Sequence, residues 1–87
     1  MTVGTLYSIN SHTPAQRAMF LVMSADTNFA SGARFVMTPD GRSARFVAHE
    51  KCEVTQLTQR VGKIKRHVMK ALNISGSVAF SAADIEK

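Results

Sequence analysis

Residues 54–72 constrain the fold of this chain more than any other stretch. Val54, Leu57, Val61, Ile64, Val68 and Leu72 recur at alternating intervals of three and four, the spacing of an amphipathic helix that buries one stripe. At about 100° per residue, the opposite face carries Gln56, Gln59, Arg60, Lys63, Arg66, His67 and Lys70. The spacing therefore predicts one long helix. Gly62 weakens its interior by about 1 kcal/mol relative to alanine, and Asn73 is expected as a left-handed cap with Ile74 folding back behind it. Residues 54–72 hold five Lys or Arg and no Asp or Glu. Helices that only need solvation usually mix signs, because opposite charges three or four apart are stabilising and like charges are not. A one-signed face points to an anionic partner. Lys65 falls beside the apolar stripe and is expected to snorkel to solvent.

Residues 33–50 read as a hairpin. The segments Ala33-Arg34-Phe35-Val36-Met37 and Ala44-Arg45-Phe46-Val47-Ala48 flank Thr38-Pro39-Asp40-Gly41. Pro-Asp-Gly supplies a preset φ, a turn-stabilising side chain and a residue tolerant of positive φ. Alternation puts Ala and Phe on one face of each strand, with Arg and Val on the other. Residues 2–9 alternate as a strand, with Val3, Thr5, Tyr7 and Ile9 on one face, and Asn10, Ser11 and His12 break it. Thr13-Pro14-Ala15-Gln16 has the form of a helix start. It predicts a helix over 17–24, although the apolar run 18–23 also suits a buried strand. Residues 26–32 read as a loop with Phe29 tucked back, and 77–80 as a short strand. Residues 81–87 are expected to fray, with Ser81-Ala82-Ala83-Asp84 available to cap one last turn.

The resulting order, strand–helix–strand–strand–helix–strand, defines an α+β, ferredoxin-like βαββαβ sandwich. If 17–23 is a strand, the alternative is an antiparallel sheet of about five strands packed on one long helix. No linker or low-complexity segment divides the 87 residues, which read as a single compact domain, 1–87. A hydrophobic fraction of 45% with 20% charged residues excludes general disorder. Net charge is +5 and uneven: residues 41–72 hold eight Lys or Arg against Glu50 and Glu53. Such a balance favours nucleic acid or an acidic protein surface as partner. Cys52 is the only cysteine, so no internal disulfide forms, and a reducing, cytoplasmic setting is expected. The longest apolar run is too short to span a bilayer, and no signal-peptide pattern opens the chain.

No catalytic constellation stands out. His49, Glu50, Cys52 and Glu53 lie close in sequence, but a nucleophilic cysteine needs a base and an orienting group in register. Three histidines and one cysteine do not offer a recognised metal-ligand spacing. There is no glycine-rich phosphate loop and no nucleophile elbow. A non-enzymatic binding protein without cofactor or metal is expected. The methionines Met19, Met23, Met37 and Met69 read as gap-filling core side chains.

Leu6-Tyr7-Ser8-Ile9-Asn10 resembles the first ribonucleoprotein-motif strand of RNA-recognition domains. Arg42-Ser43-Ala44-Arg45-Phe46-Val47 resembles the basic start and Phe-Val of the second, although Ala44 and His49 stand where that family has aromatics. The resemblance implies base stacking on Tyr7 and Phe46; the competing reading makes Tyr7, Phe35 and Phe46 core residues. The expected function is a small nucleic-acid-binding module for RNA or single-stranded DNA, using Arg60, Lys63, Arg66 and Lys70 with Arg42 and Arg45. The alternative is a small regulatory or inhibitory protein, of the phage-encoded kind, that docks a basic surface onto a larger protein or nucleoprotein complex. A structural subunit that forms a homodimer through its sheet is a third reading.

Overall fold

The computed structural model describes residues 2–9 and 18–87. Among them the strands are β1 (Thr5–Ile9), β2 (Ala18–Ala25), β3 (Phe29–Met37), β4 (Ser43–Glu53), β5 (Leu57–Ile64), β6 (Phe80–Ser81) and β7 (Ile85–Glu86). One α-helix, α1 (Arg66–Ser75), follows β5, and short 3-10 turns occupy Val54–Gln56 and Ala82–Asp84. The strands form one sheet in the order β6-β4-β3-β2-β1-β5-β7, and every pairing is antiparallel.

Chain connectivity forces this sheet to curl. β4 and β5 are four strand steps apart in the sheet, about 19 Å if it were flat. The 3-10 turn at Val54–Gln56 joins them, and four residue steps reach at most about 14 Å. The same crossing happens a second time: β6 lies on β4, β7 lies on β5, and Ala82–Asp84 joins the two. Residues 80–86 thus strap one rim of the sheet to the other, and the result is a nearly closed, barrel-like sheet.

Both faces of the sheet bury apolar side chains. Leu6, Leu21, Ala33, Phe35, Ile64 and Phe80 pack with Val68 and Leu72 of α1 on one face. Ile9, Phe20, Val22, Ala30, Cys52 and Leu57 form a second cluster, drawn from the alternate positions of β1 and β2 and so from the opposite face. Phe35 is the centre of the first, with the Phe80 ring 4.9 Å and the Phe46 ring 5.9 Å away, both edge-on. Close approach at Gly32 lets β2 and β3 bulge past Met23: a Cβ there would lie 1.8 Å from the Leu21 carbonyl oxygen.

This architecture is neither the ferredoxin-like βαββαβ sandwich nor a five-strand sheet on one long helix. Residues 54–72 are not one helix but a 3-10 turn, a strand and the start of α1. The helical spacing has a physical source, because the β1–β5 register slips twice, between Leu6 and Tyr7 and between Ser8 and Ile9. Each slip adds a residue to β5, so its buried apolar positions, Val61 and Ile64 in the first core and Leu57 in the second, do not fall on every second residue. Residues 18–25 are strand, not helix, and four successive members, Met19 to Val22, are all buried, which erases alternation. Part of the expected loop at 26–32 belongs to β3, and Phe29 is 40% exposed with Lys51 Nζ 4.8 Å from its ring centroid. α1 ends at Gly76 (φ 81°), not Asn73, and Ile74 is left exposed. Residues 81–86 carry the expected Ser81–Asp84 capping box and the two-residue strand β7. Asn10 to His12 and the helix start at Thr13-Pro14-Ala15-Gln16 lie outside the described residues.

Candidate nucleic-acid interface

The basic residues of 60–70 gather around the corner where β5 gives way to α1. A single residue, Lys65, separates strand from helix. Its backbone is fixed from two sides: its N–H donates to the Asp84 carbonyl (3.0 Å), and its carbonyl accepts from the N–H groups of Val68 and Met69 (3.1 and 3.3 Å). The preceding Ile64 N–H donates to the Gly4 carbonyl (2.8 Å). Val68 and Leu72, four apart, then anchor α1 in the core, which turns Arg66, His67 and Lys70 outward.

A surface groove of about 510 Å³ lies at this corner. Val3, Gly4, Ile64 and Met69 supply its apolar lining, and Lys63, Lys65, Arg66 and Glu86 its charges. Lys63 projects from the sheet face that also carries Thr5, its cross-strand neighbour; Arg60 stands opposite Tyr7 on the same face. Lys70 continues the surface one turn beyond Arg66. Among the described residues none of Arg60, Lys63, Lys65, Arg66 and Lys70 has an ion-pair partner; the salt bridges there are Arg34–Glu50 and His67–Asp84.

Electrostatics at the corner are unfavourable for the chain alone. Lys65 is the N-cap without a side-chain cap bond, Arg66 and His67 follow, and the first turn holds no acid. Cations at the positive end of a helix dipole destabilise it, by about 0.3–1 kcal/mol each at exposed sites. Partial relief comes from Asp84, whose Oδ1 lies 3.2 Å from His67 Nε2. The Asp84 carboxyl is held below the ordinary carboxylate range, first by the Ser81 N–H, against some desolvation; the Ser81 hydroxyl, His67 and Lys65 act in the same lowering direction.

The remaining expected site residues lie elsewhere. Arg42 is in the β3–β4 turn, its N–H donating to Asp40 Oδ1 (3.0 Å) and its carbonyl accepting from Ala82 (2.7 Å). Arg45 stands opposite Val36 near the β6 end of the strap. Phe46 is half-buried against the first core, near Phe35 and 5.0 Å from the His49 ring. Tyr7 is half-buried beside the second core. Sequence reasoning missed the groove's membership of Lys65, Gly4, Met69 and Glu86, and the contacts of Asp84 with His67 and Lys65. No local signal links residues 4, 65 and 86; only strand pairing does.

Cys52 is buried, and burial first, then the Glu50 carboxylate, pushes its thiol up, with Arg34 opposing. His49 projects from the other face of β4 and donates from Nε2 to the Gly76 carbonyl (2.7 Å), so the two do not form a nucleophile–base pair. Among the described residues no three His, Cys, Asp or Glu side chains gather as a metal site, and no helix is long and apolar enough to cross a membrane. Comparison with known protein-family models, curated proteins and solved structures gives no match.

Proposed function

We propose that this protein binds single-stranded nucleic acid, RNA or DNA, through the β5–α1 corner, without catalysing a reaction. One observation carries the reading: five cations lie within residues 60–70, interrupted by no acid and lacking ion-pair partners among the described residues, and three of them, Lys63, Lys65 and Arg66, line the groove at the strand–helix corner. Folding alone gains nothing from that arrangement, whereas phosphates relieve the mutual repulsion and release counterions. Tyr7 beside Arg60 supports a single strand over a duplex, because an unpaired base can stack on an aromatic or guanidinium plane. Phe46 is left out of the contact surface since its ring is engaged with Phe35 and His49. Arg42 and Arg45 flank the far end of the strap and extend the positive surface.

Fluorescence anisotropy with labelled single-stranded DNA, single-stranded RNA and duplex DNA tests the proposal. Saturable binding that prefers a single strand is expected, and Tyr7→Ala should narrow that preference while the protein stays folded. Equal binding to duplex would remove the role of Tyr7. Absence of binding to all three at about 50 mM salt, where phosphate contacts are strong, would overturn the proposal and leave docking to an acidic protein surface.

A further inference from the structure

Both acidic side chains of the strap fall on the cationic corner. Asp84 pairs with His67 and accepts the Lys65 N–H through its carbonyl. Glu86 stands directly across from Lys63 in the β5–β7 ladder and lines the same groove as Lys63, Lys65 and Arg66. The two ends of the strap are held unequally. Phe80 is 4% exposed, with its ring against Phe35 in the core. β7 is two residues long, half-buried Ile85 is its apolar contact, and Glu86 has no ion-pair partner among the described residues. β7 also rests directly on Gly62: a Cβ there would lie 2.6 Å from the Glu86 carbonyl oxygen and 2.8 Å from Ile85 Cγ2.

We infer that β7 is an autoinhibitory contact, in which Glu86 occupies the phosphate position of the groove and yields it when the polyanion binds. The inference rests on the nucleic-acid reading above and adds its regulation. A carboxylate among three cations neutralises part of the field that would draw a phosphate. The lightly held end of the strap is the one that must yield, since short ladders open at low free energy, while Phe80 retains the other end. Displacement would remove one negative charge from the groove and free the edge of β5 at Lys63 and Ile64.

Two variants perturb this contact by different means. Glu86→Gln removes the charge and keeps the backbone pairing; Gly62→Ala keeps the charge and pushes β7 outward. Glu53→Gln, on the exposed end of β4, controls for net charge alone. With a labelled twelve-residue oligothymidylate at low salt, Glu86→Gln is expected to bind about threefold or more tighter, the scale of a surface charge interaction, and Glu53→Gln to stay within about twofold. Gly62→Ala should gain similarly, and the double variant should gain no more than either, because both remove one contact. Amide exchange over 85–86 should quicken in the wild-type complex while that over 80–81 does not. If the wild type binds and Glu86→Gln gains no more than Glu53→Gln, the autoinhibitory role falls and the binding reading survives. If neither the wild type nor any variant binds, both fall. Binding by Glu86→Gln alone would support both. Should Gly62→Ala lose its cooperative unfolding transition, Glu86→Gln and the exchange measurement decide.

Discussion

Replacing Phe80 with alanine tests whether a two-residue strand near the end of the sequence is a keystone of the fold. The ring is 4% exposed and lies 4.9 Å from that of Phe35 at 66°. Removing a buried phenylalanine costs about 3–5 kcal/mol in lost transfer energy and residual cavity, and the edge-on pair accounts for roughly 0.5–1.5 kcal/mol of specific contact. A value near 4 kcal/mol is expected. With unfolding entropy of about 2.1 cal/mol/K per residue, an 87-residue domain changes by about 0.18 kcal/mol per degree, so Tm should fall by about 20 °C. Total stability for this size is only about 4–13 kcal/mol, which leaves the variant marginal. Ile74→Ala is the matched control, since Ile74 is 76% exposed and should change stability by less than about 0.5 kcal/mol. Urea titration followed by circular dichroism measures both. A Phe80→Ala loss below about 1 kcal/mol with an unchanged m value would show that residue 80 does not clasp the core.

Gly32→Ala should be far more damaging than Gly41→Ala. The first drives a Cβ into the Leu21 carbonyl, whereas the second meets open space and bears only the strain of φ 72°; comparable denaturation midpoints would contradict the β2–β3 register. Cys52 should resist an aromatic disulfide reagent at neutral pH until denaturant is added, because the thiol is buried and pushed up by burial and Glu50. Rapid native labelling would be inconsistent with its place in the second core. The Asp84 carboxyl titrates below its ordinary value of 3.8, so its stabilising contribution is complete above that value and is lost as pH falls through the lower, folded one. Asp84→Asn should therefore flatten, though not abolish, the acid limb of a stability–pH profile, since Asp26 and Asp40 are lowered as well. An identical acid limb in the variant would argue against the Ser81 and His67 contacts.

The β3–β4 hairpin was legible because its signals agree. Asp40 accepts from Thr38 Oγ1 (2.5 Å) and the Arg42 N–H, Gly41 takes positive φ, and Ala33, Phe35, Ala44 and Phe46 share the core face. The Ser81–Asp84 cap was legible for the same reason. Residues 54–72 misled because β-bulges in β5 produce the three-and-four spacing that normally marks a helix, and Val68 and Leu72 of the true helix continue it. β2 carried no period at all, since a strand covered on both faces has no polar side to alternate with. The strap was invisible for want of length: two-residue strands leave no pattern, and their partners are about forty and twenty residues away in sequence. For the site, the identity of the cations was readable but their arrangement was not. Arg60 and Lys63 come from the strand, Arg66 and Lys70 from the helix, and Lys65, expected to snorkel, forms the corner itself.

The salt dependence of single-strand binding, compared between the wild type and Lys63→Gln/Arg66→Gln, decides whether the β5–α1 corner meets phosphates. If Arg60, Lys63, Lys65, Arg66 and Lys70 all meet phosphates, the log–log slope is about −3.5, and affinity falls about 100-fold from 50 to 200 mM salt. Removing two contacts should reduce the slope to about −2.1 and the loss to about 20-fold. A slope unchanged in the double variant, or no saturable binding by the wild type at 50 mM, would contradict the assignment of the β5–α1 corner as the nucleic-acid surface.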